Sequence, residues 1–157
     1  MDTIVVGFTL TDDARRALDQ AGWLAEVAEA KLVVLAVGDP HKQALYGQKL
    51  RGEPGTSAEV PASGNEGLLA SKRHTDASGA EILGRARARL AERDIEVVFK
   101  DATGDAADAI VELADKVDAD VIVVGTRDPG FVSRLVHHSV SDDVVHKTDR
   151  DVWIVKE

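Results

Sequence analysis

The chain contains no cysteine among its 157 residues, which excludes disulfide bonds and thiolate zinc sites. It also has no apolar run approaching 18 residues, so we expect no segment that crosses a membrane. The N-terminal sequence MDTIVVGF lacks a basic region followed by a long apolar core, and we interpret it as a strand and not as a signal peptide. These absences together predict a cytoplasmic protein.

Basic residues are too few to balance the acidic ones. The 19 Lys and Arg residues oppose 28 Asp and Glu residues, which gives a formal net charge of −9. An acidic surface repels nucleic-acid phosphates, so we expect no nucleic-acid partner. Asp outnumbers Glu and Arg outnumbers Lys, a bias that a high-salt cytoplasm favours and that an ordinary acidic protein also shows.

The hydrophobic fraction of 44% is enough for one folded domain over residues 1–157. Five short apolar runs rich in β-branched residues predict buried strands. These strands are predicted at Thr3–Phe8, Lys31–Val37, Ile95–Lys100, Val121–Val124 and Asp151–Val155. Because a helical pattern lies between each pair of consecutive strands, we expect a five-stranded parallel sheet, doubly wound, with helices on both faces.

Each helical pattern has recognisable signals at its ends. Thr11 is placed to cap a first helix of about 17 residues, because two acidic residues follow it. A second pattern runs from residue 65 or 66 to Arg93 and carries an arginine cluster, which is either a partner surface or a solvated face. The turn Thr103-Gly104-Asp105 leads into a third helix. A fourth helix is predicted from Ser139 to Lys147. Its inward-facing residues are predicted to be Val140, Val144 and Val145.

Residues 38–64 differ in character from the rest of the chain. They hold three of the four prolines together with many Gly, Ser and Ala residues. We interpret this stretch as a flexible surface excursion from the domain. A solvated insertion, a lid over a site and a surface for a protein client all remain open as its role.

The stretch from residue 118 to residue 141 carries a family resemblance. Its sequence DADVIVVGTR, at 118–127, is followed by Gly130, by SVS at 139–141 and by a helix that leads to the final VWIV strand. This order of motifs resembles the universal stress protein family over almost the whole chain outside the excursion. The resemblance implies a Rossmann-like stress-response or regulatory domain that is not an enzyme. It also implies a homodimer paired through the last strand, with the residues Val152, Trp153, Ile154 and Val155.

ATP-binding members of this family carry the pattern G-x2-G-x9-G-[ST] after the fourth strand. At the matching positions this chain has Gly125, Asp128, His138 and Ser139, so one of three glycines remains together with the hydroxyl. Such glycines let backbone N–H groups approach phosphate without a Cβ in between. The resemblance also places Thr9 where those members have a strand-1 aspartate that recognises adenosine. Three departures at one pocket favour a degenerate nucleotide site without tight ATP binding.

Other features favour the alternative, an ATP-binding switch with slow or no hydrolysis. Arg127 can pair with phosphate oxygens, and Ser139 and Ser141 lie where a helix N-terminus favours anions. The interpretation requires no cofactor and leaves ATP, another nucleotide or an anion open as the ligand. The candidate binding residues are Gly7, Thr9, Val37, Val124, Gly125, Arg127, Asp128, Gly130, His138, Ser139, Val140 and Ser141.

The residues near Ser139 also allow a catalytic and a metal-binding interpretation, and each has a simpler structural alternative. His138, Ser139 and Asp142 invite a Ser-His-Asp interpretation, but residues so close in sequence rarely form a triad, and Ser139 is the better candidate for a helix cap. His138, Asp142 and His146 have a four-residue spacing that is compatible with a metal site, but surface histidines are the simpler interpretation. We therefore predict no catalytic and no metal-ligating residues. Trp23 on the first helix is interpreted as a core or boundary residue.

Overall fold

The computed structural model of the chain describes residues 1–38, 79–126 and 139–156. These residues form five strands and four helices in the predicted order. The strands are β1 (Thr3–Phe8), β2 (Lys31–Gly38), β3 (Val97–Thr103), β4 (Val121–Gly125) and β5 (Asp151–Val155). The helices are α1 (Asp12–Ala28), α2 (Gly79–Leu90), α3 (Ala106–Lys116) and α4 (Val140–Lys147).

All five strands lie parallel in one sheet with the order β3-β2-β1-β4-β5. The central strand β1 pairs with β2 from Thr3 opposite Lys31, and with β4 from Ile4 opposite Val121. The chain passes from β1 to β2 and β3 on one side and then to β4 and β5 on the other. The connection order therefore reverses between β1 and β4, which is where ligands bind in open α/β sheets.

The two faces of the sheet are covered by different helices. One apolar cluster packs α1 and α2 against the sheet and includes the buried residues Leu18 and Ile82. The other packs α3 and α4 against the opposite face and includes Ile110 and Val144. Because both faces are covered, the central strands are buried on both sides, as their unbroken apolar sequences require. The predicted doubly wound α/β fold is confirmed.

Helix α1 begins and ends as local chemistry dictates. Thr11 has extended backbone angles, and its hydroxyl accepts a hydrogen bond of 3.3 Å from the Ala14 N–H. Asp12 and Asp13 occupy the first turn, where the helix dipole favours negative charge. The helix ends at Ala28, and Glu29 follows in the left-handed conformation with φ 52°. The predicted cap and the predicted length of 17 residues are both confirmed.

The predicted bounds of two elements are wrong by two residues or more. Strand β3 was placed at residues 95–100, but it spans Val97–Thr103, because its register is set by pairing with β2 from Leu32 opposite Val97 to Gly38 opposite Thr103. Sequence periodicity alone cannot see this long-range pairing. The second helix was predicted to reach Arg93, but α2 ends at Leu90, whose carbonyl accepts a bond of 3.1 Å from the Arg93 N–H in the following turn.

The arginine cluster on and after α2 forms a solvated, charge-paired face, which is one of the two predicted alternatives. Arg89 makes two bonds of 2.6 Å to Asp19 on α1, and the Arg93 guanidinium lies 2.8 Å from Glu26. Arg87 stacks on the Phe99 ring with its guanidinium carbon 4.5 Å from the ring centroid. These side chains therefore hold α2 against α1 and β3.

Helix α4 presents a narrower apolar face than the sequence predicted. Of the three valines expected to face inward, Val144 is fully buried, whereas Val140 is 42% and Val145 is 44% exposed. The inward row of this eight-residue helix is filled by Ser141 and Val144, three positions apart. Trp23 was predicted to be a core or boundary residue, but it is 49% exposed, because it lies on the side of α1 opposite the core.

Part of the sequence interpretation lies outside the described residues. Beyond its first residue, Gly38 at the end of β2, the 38–64 excursion falls there, as does the start of the second helical pattern at residue 65 or 66. None of the helices within the described ranges combines the length and the apolarity that a membrane span requires.

Candidate functional site

The candidate site is the crevice at the C-terminal ends of β1, β2 and β4. Thr9 directly follows β1, Val37 lies in the last two residues of β2, and Gly125 ends β4. Parallel strands bring their C-terminal ends to one edge of the sheet, so these three predicted site residues share that edge. The β1–β4 reversal lies between Thr9 and Gly125.

Gly125 is held in place by packing against α1. A Cβ added at this position would lie 2.6 Å from both the carbonyl carbon and the carbonyl oxygen of Asp13, and 3.0 Å from the Ala14 nitrogen. The first turn of α1 therefore rests directly on the backbone at the end of β4. The sequence interpretation gave this glycine a role in phosphate approach, and the structure adds a requirement that exists without any ligand.

Gly7, in β1, is a second glycine against which neighbouring side chains pack closely. A Cβ at this position would lie 2.7 Å from Cδ1 of Ile110 and 3.8 Å from Cγ1 of Val124. Val124 is almost fully buried in the cluster under α3 and α4, and Val37 packs against that cluster while half-buried. These predicted site residues therefore belong to the apolar packing beneath the strand ends and offer no polar side chain to a ligand.

Thr9 points its hydroxyl at another threonine. Its Oγ1 lies 3.1 Å from the Oγ1 of Thr11, the residue that caps α1, and Thr9 itself is exposed. The two hydroxyls share one hydrogen bond at the C-terminal end of β1. Both groups are neutral, so the end of β1 supplies no carboxylate at this position. Sequence inspection did not identify Thr11 as the partner of Thr9, although the two-residue spacing was visible.

Ser139 and Ser141 form a comparable pair at the start of α4. Their Oγ atoms lie 2.7 Å apart, and Ser141 is 1% exposed. Ser139 occupies the N-cap position with extended backbone angles, as predicted, but its side chain makes no capping hydrogen bond to the helix. The hydroxyl is turned towards Ser141 instead, so the first-turn N–H groups of α4 receive no bond from it.

The Ser-His-Asp alternative and the metal alternative both include His138, which lies outside the described residues. Within residues 1–38, 79–126 and 139–156, no group of three or more His, Asp or Glu side chains is arranged to hold a metal ion. His146 uses its Nδ1 to contact the Asp142 carbonyl at 2.7 Å on its own helix. Four candidate site residues and one proposed metal ligand lie outside the described residues. They are Arg127, Asp128, Gly130 and His138, the last of these counted in both sets.

Charged groups near α3 and α4 are paired with each other at the protein surface. Asp105 caps α3, and its bond from the Asp108 N–H lowers the pKa of the Asp105 carboxyl. The Lys147 ammonium lies 2.7 Å from Asp108 and 3.6 Å from Asp105, and the bond to Asp108 raises the pKa of Lys147. These ion pairs hold α4 against the start of α3, and their charges are already neutralised locally.

The chain is similar to known proteins over almost its full length. The sequence model of the universal stress protein family matches residues 1–156. The stress response protein NhaX of Bacillus subtilis is 29% identical over 164 aligned positions, which cover 99% of this chain and 98% of NhaX.

Solved structures agree with this result. The structure of a universal stress protein in complex with cAMP is 27% identical with a TM-score of 0.65, and the match covers 99% of this chain and 96% of that one. A universal stress protein from Archaeoglobus fulgidus in complex with dAMP shares the fold at 21% identity, with a TM-score of 0.57 and coverage of 99% and 98%. The sheet order, the strand-end crevice and the match over residues 1–156 together show that the chain belongs to the universal stress protein family.

Proposed function

We propose that this protein is a cytoplasmic stress-response regulator that acts by binding and not by catalysis, and that its strand-end crevice does not hold ATP tightly. Membership of the family and the likeness to NhaX support the stress-response role. The observation that carries the second part is the Thr9–Thr11 hydroxyl pair. It occupies the place where ATP-binding members of the family have a carboxylate.

The loss of a carboxylate at this position weakens ATP binding for an energetic reason. A donor group on the ribose or base forms a stronger hydrogen bond with a charged acceptor than with a neutral one. A hydrogen bond to a charged group stabilises by about 1.5–3 kcal/mol, against about 0.5–1.5 kcal/mol for a neutral one. The Thr9 hydroxyl can accept a bond from a ligand while it keeps its bond to Thr11, but it does so as a neutral acceptor. Each kcal/mol lost weakens affinity about fivefold, because 1.4 kcal/mol corresponds to a factor of ten.

Isothermal titration with Mg²⁺-ATP tests this proposal. We expect no submicromolar binding to the native chain, and submicromolar binding would contradict the degenerate-pocket proposal. The variant Thr9→Asp restores a carboxylate at the end of β1 and should bind more tightly than the native chain. Thr9→Val is the matched control, because it keeps the size of the side chain and removes the hydroxyl; it should bind no more tightly than the native chain.

A second candidate function is a nucleotide-dependent switch. It is favoured by the likeness to a universal stress protein solved with cAMP, and by the first turn of α4, which receives no side-chain cap from Ser139. Helix N-termini with unpaired N–H groups attract phosphate. This function predicts a nucleotide retained through purification and a rise in melting temperature on adding cAMP or ATP. A nucleotide-free preparation whose melting temperature is unchanged by either compound would eliminate it.

We also propose that the chain forms a homodimer through β5. Strand β5 lies at the edge of the described sheet, with Val152, Trp153 and Ile154 half-buried. An apolar edge strand is a liability unless another strand covers it. Sedimentation equilibrium over a range of concentrations should give twice the monomer mass of 16.8 kDa at the high end. A constant monomer mass would reject the dimer.

A further inference from the structure

Helix α4 has the smallest buried face of the four described helices. Of its eight residues only Ser141 and Val144 are buried, and only Val144 adds an apolar side chain to the core. By contrast, α1 buries six residues, and α3 buries Ala107, Ile110 and Ala114. An isolated helix of this length is not stable in water, so α4 depends on its contacts with the rest of the fold.

The hydrogen bonds at the start of α4 stay within the helix itself. Ser139 stands at the N-cap position without a capping bond, and its hydroxyl bonds to Ser141 two residues later. The Asp143 N–H donates to the Ser139 carbonyl at 3.0 Å, as in any first helical turn. Neither of these bonds reaches another element of the fold. The polar contacts that attach α4 to α3 must therefore be sought at its other end.

The end of α4 is attached to the start of α3 by charge. The Lys147 ammonium lies 2.7 Å from a carboxylate oxygen of Asp108 and 3.6 Å from one of Asp105, and the negative charge of Asp143 adds to the attraction. The Lys147, Asp105 and Asp108 side chains are 42%, 55% and 66% exposed, so these pairs lie in solvent. Dissolved ions weaken exposed pairs, because the Debye length falls from about 10 Å at 0.1 M salt to about 3 Å at 1 M.

We propose that α4 is a salt-responsive element: rising ionic strength screens the Lys147 pairs and releases α4 from α3 while the sheet and the other described helices stay folded. The first residues that move with α4 are Ser139, Val140 and Ser141, which are candidate binding residues. The ionic strength of the surroundings thereby controls whether these three residues are held in place. This response does not require that the crevice bind a nucleotide.

Helix α2 also carries surface ion pairs, but it has an apolar attachment that salt does not screen. Arg89 pairs with Asp19 on α1, and Ile82, Ala86 and Leu90 are buried against the core as well. Burial of apolar surface does not rest on charge, so dissolved ions do not screen it. Among the four described helices, selective release by salt is therefore expected of α4 and not of α1, α2 or α3.

Amide hydrogen exchange, followed by NMR at constant pH in about 0.1 M and about 1 M NaCl, tests this response. The amides of residues 143–147 report on α4, and those of Leu18 and Ala21, which are fully buried in α1, serve as the internal reference. We expect the protection of the α4 amides to fall about two- to fivefold relative to the reference, because exposed ion pairs contribute a factor of about this size.

Three variants separate the charge of Lys147 from its packing. Lys147→Gln leaves Asp105, Asp108 and Asp143 without the shared ammonium, so its α4 amides should be less protected at low salt and should lose no protection as salt rises. Lys147→Arg keeps the charge and should respond to salt as the native chain does. Lys116→Gln is the matched control, because it removes the same charge from an exposed residue of α3 that forms no ion pair with another described residue; it should keep the native response.

Several results would overturn the proposal. One is protection of the native α4 amides that is unchanged or higher in the concentrated salt. Another is an equal fall at Leu18 and Ala21, because the whole fold would then be opening. A native response in Lys147→Gln would show that another contact attaches α4. The measurement is repeated at two protein concentrations, and a fall confined to the lower one would assign the salt effect to dissociation of the proposed homodimer and not to Lys147.

Discussion

The glycine at the end of β4 gives a prediction that separates packing from ligand binding. In the variant Gly125→Ala, the new Cβ would meet the Asp13 carbonyl atoms at 2.6 Å, which is 0.8 Å inside the 3.4 Å where ordinary contact begins. The clash is with backbone, so no side chain can rotate away. Helix α1 cannot retreat freely either, because its inner face, including Ala17 and Leu18, is fully buried against the sheet. Overpacking of this kind costs about 1–3 kcal/mol.

Gly84→Ala is the matched control for this substitution. Gly84 lies inside α2, and a Cβ added there meets no atom within 4 Å. Alanine is preferred to glycine within a helix by about 0.5–1 kcal/mol, so this variant should be more stable than the native chain. The same chemical change is therefore expected to shift stability in opposite directions at the two positions.

Urea and thermal unfolding monitored by circular dichroism measure both variants. For a chain of this size, each kcal/mol corresponds to about 2–4 °C in melting temperature. We expect Gly125→Ala to melt lower and Gly84→Ala to melt higher than the native chain, with no nucleotide present. If Gly125→Ala is as stable as the native chain and only weakens nucleotide binding, then the glycine serves a ligand and the packing explanation is refuted.

Two further predictions concern charged contacts at the N-terminal edge of the sheet. Asp120 accepts hydrogen bonds from the Thr3 and Asp2 N–H groups, which lower the pKa of its carboxyl; the stability it provides is present above about pH 4 and is lost as pH falls through the lowered pKa. Asp120→Asn should therefore be less stable than the native chain at pH 7, and urea titrations should show the difference shrinking below pH 4; a difference independent of pH would contradict this. Arg150→Gln should destabilise more than Lys147→Gln at equal net charge, because the Arg150 guanidinium also bonds the Ala119 carbonyl. Urea midpoints in low and high salt check this, and equal losses for the two variants would contradict it.

Most of the fold could be predicted from the sequence because its signals are local. The β-branched apolar runs at Thr3–Phe8 and Val121–Val124 lie in buried central strands, so unbroken hydrophobicity was sufficient to locate them. The cap at Thr11 was predictable because a hydroxyl followed by two acids satisfies the first turn of a helix. Such features depend on a few neighbouring residues.

The errors occurred where a distant partner decides the structure. The bounds of β3 are set by its register against β2, so the apolar pattern of residues 95–100 missed the exposed and polar end of the strand. In α4, three valines were expected to face the core, but the short helix turns only one of them inward. The exposure of Trp23 likewise depends on how α1 lies on the sheet.

The position of the candidate site could be predicted from the sequence, but the contacts that its residues make could not. Strand order placed Thr9, Val37 and Gly125 at one edge, as the structure has them. The contact between Gly125 and the Asp13 carbonyl joins residues that are far apart in sequence, so no local pattern reveals it. The hydroxyl bond of Thr9 to Thr11 is local, but a hydroxyl pair has no distinctive sequence signature.

These contacts show that a glycine at the end of a strand is not by itself evidence of nucleotide binding in this chain. Gly125 is required where it stands, because the α1 backbone fills the space that a Cβ would occupy, whereas the atom that obstructs a Cβ at Gly7 is the end of the Ile110 side chain, which can shift. The packing of α1 on the end of β4 therefore does not depend on whether a nucleotide binds. Ligand contact depends instead on groups that packing does not fix, such as the exposed Thr9 hydroxyl. Nucleotide affinity in this chain should consequently respond to changes at Thr9 without loss of stability, whereas changes at Gly125 should affect stability first.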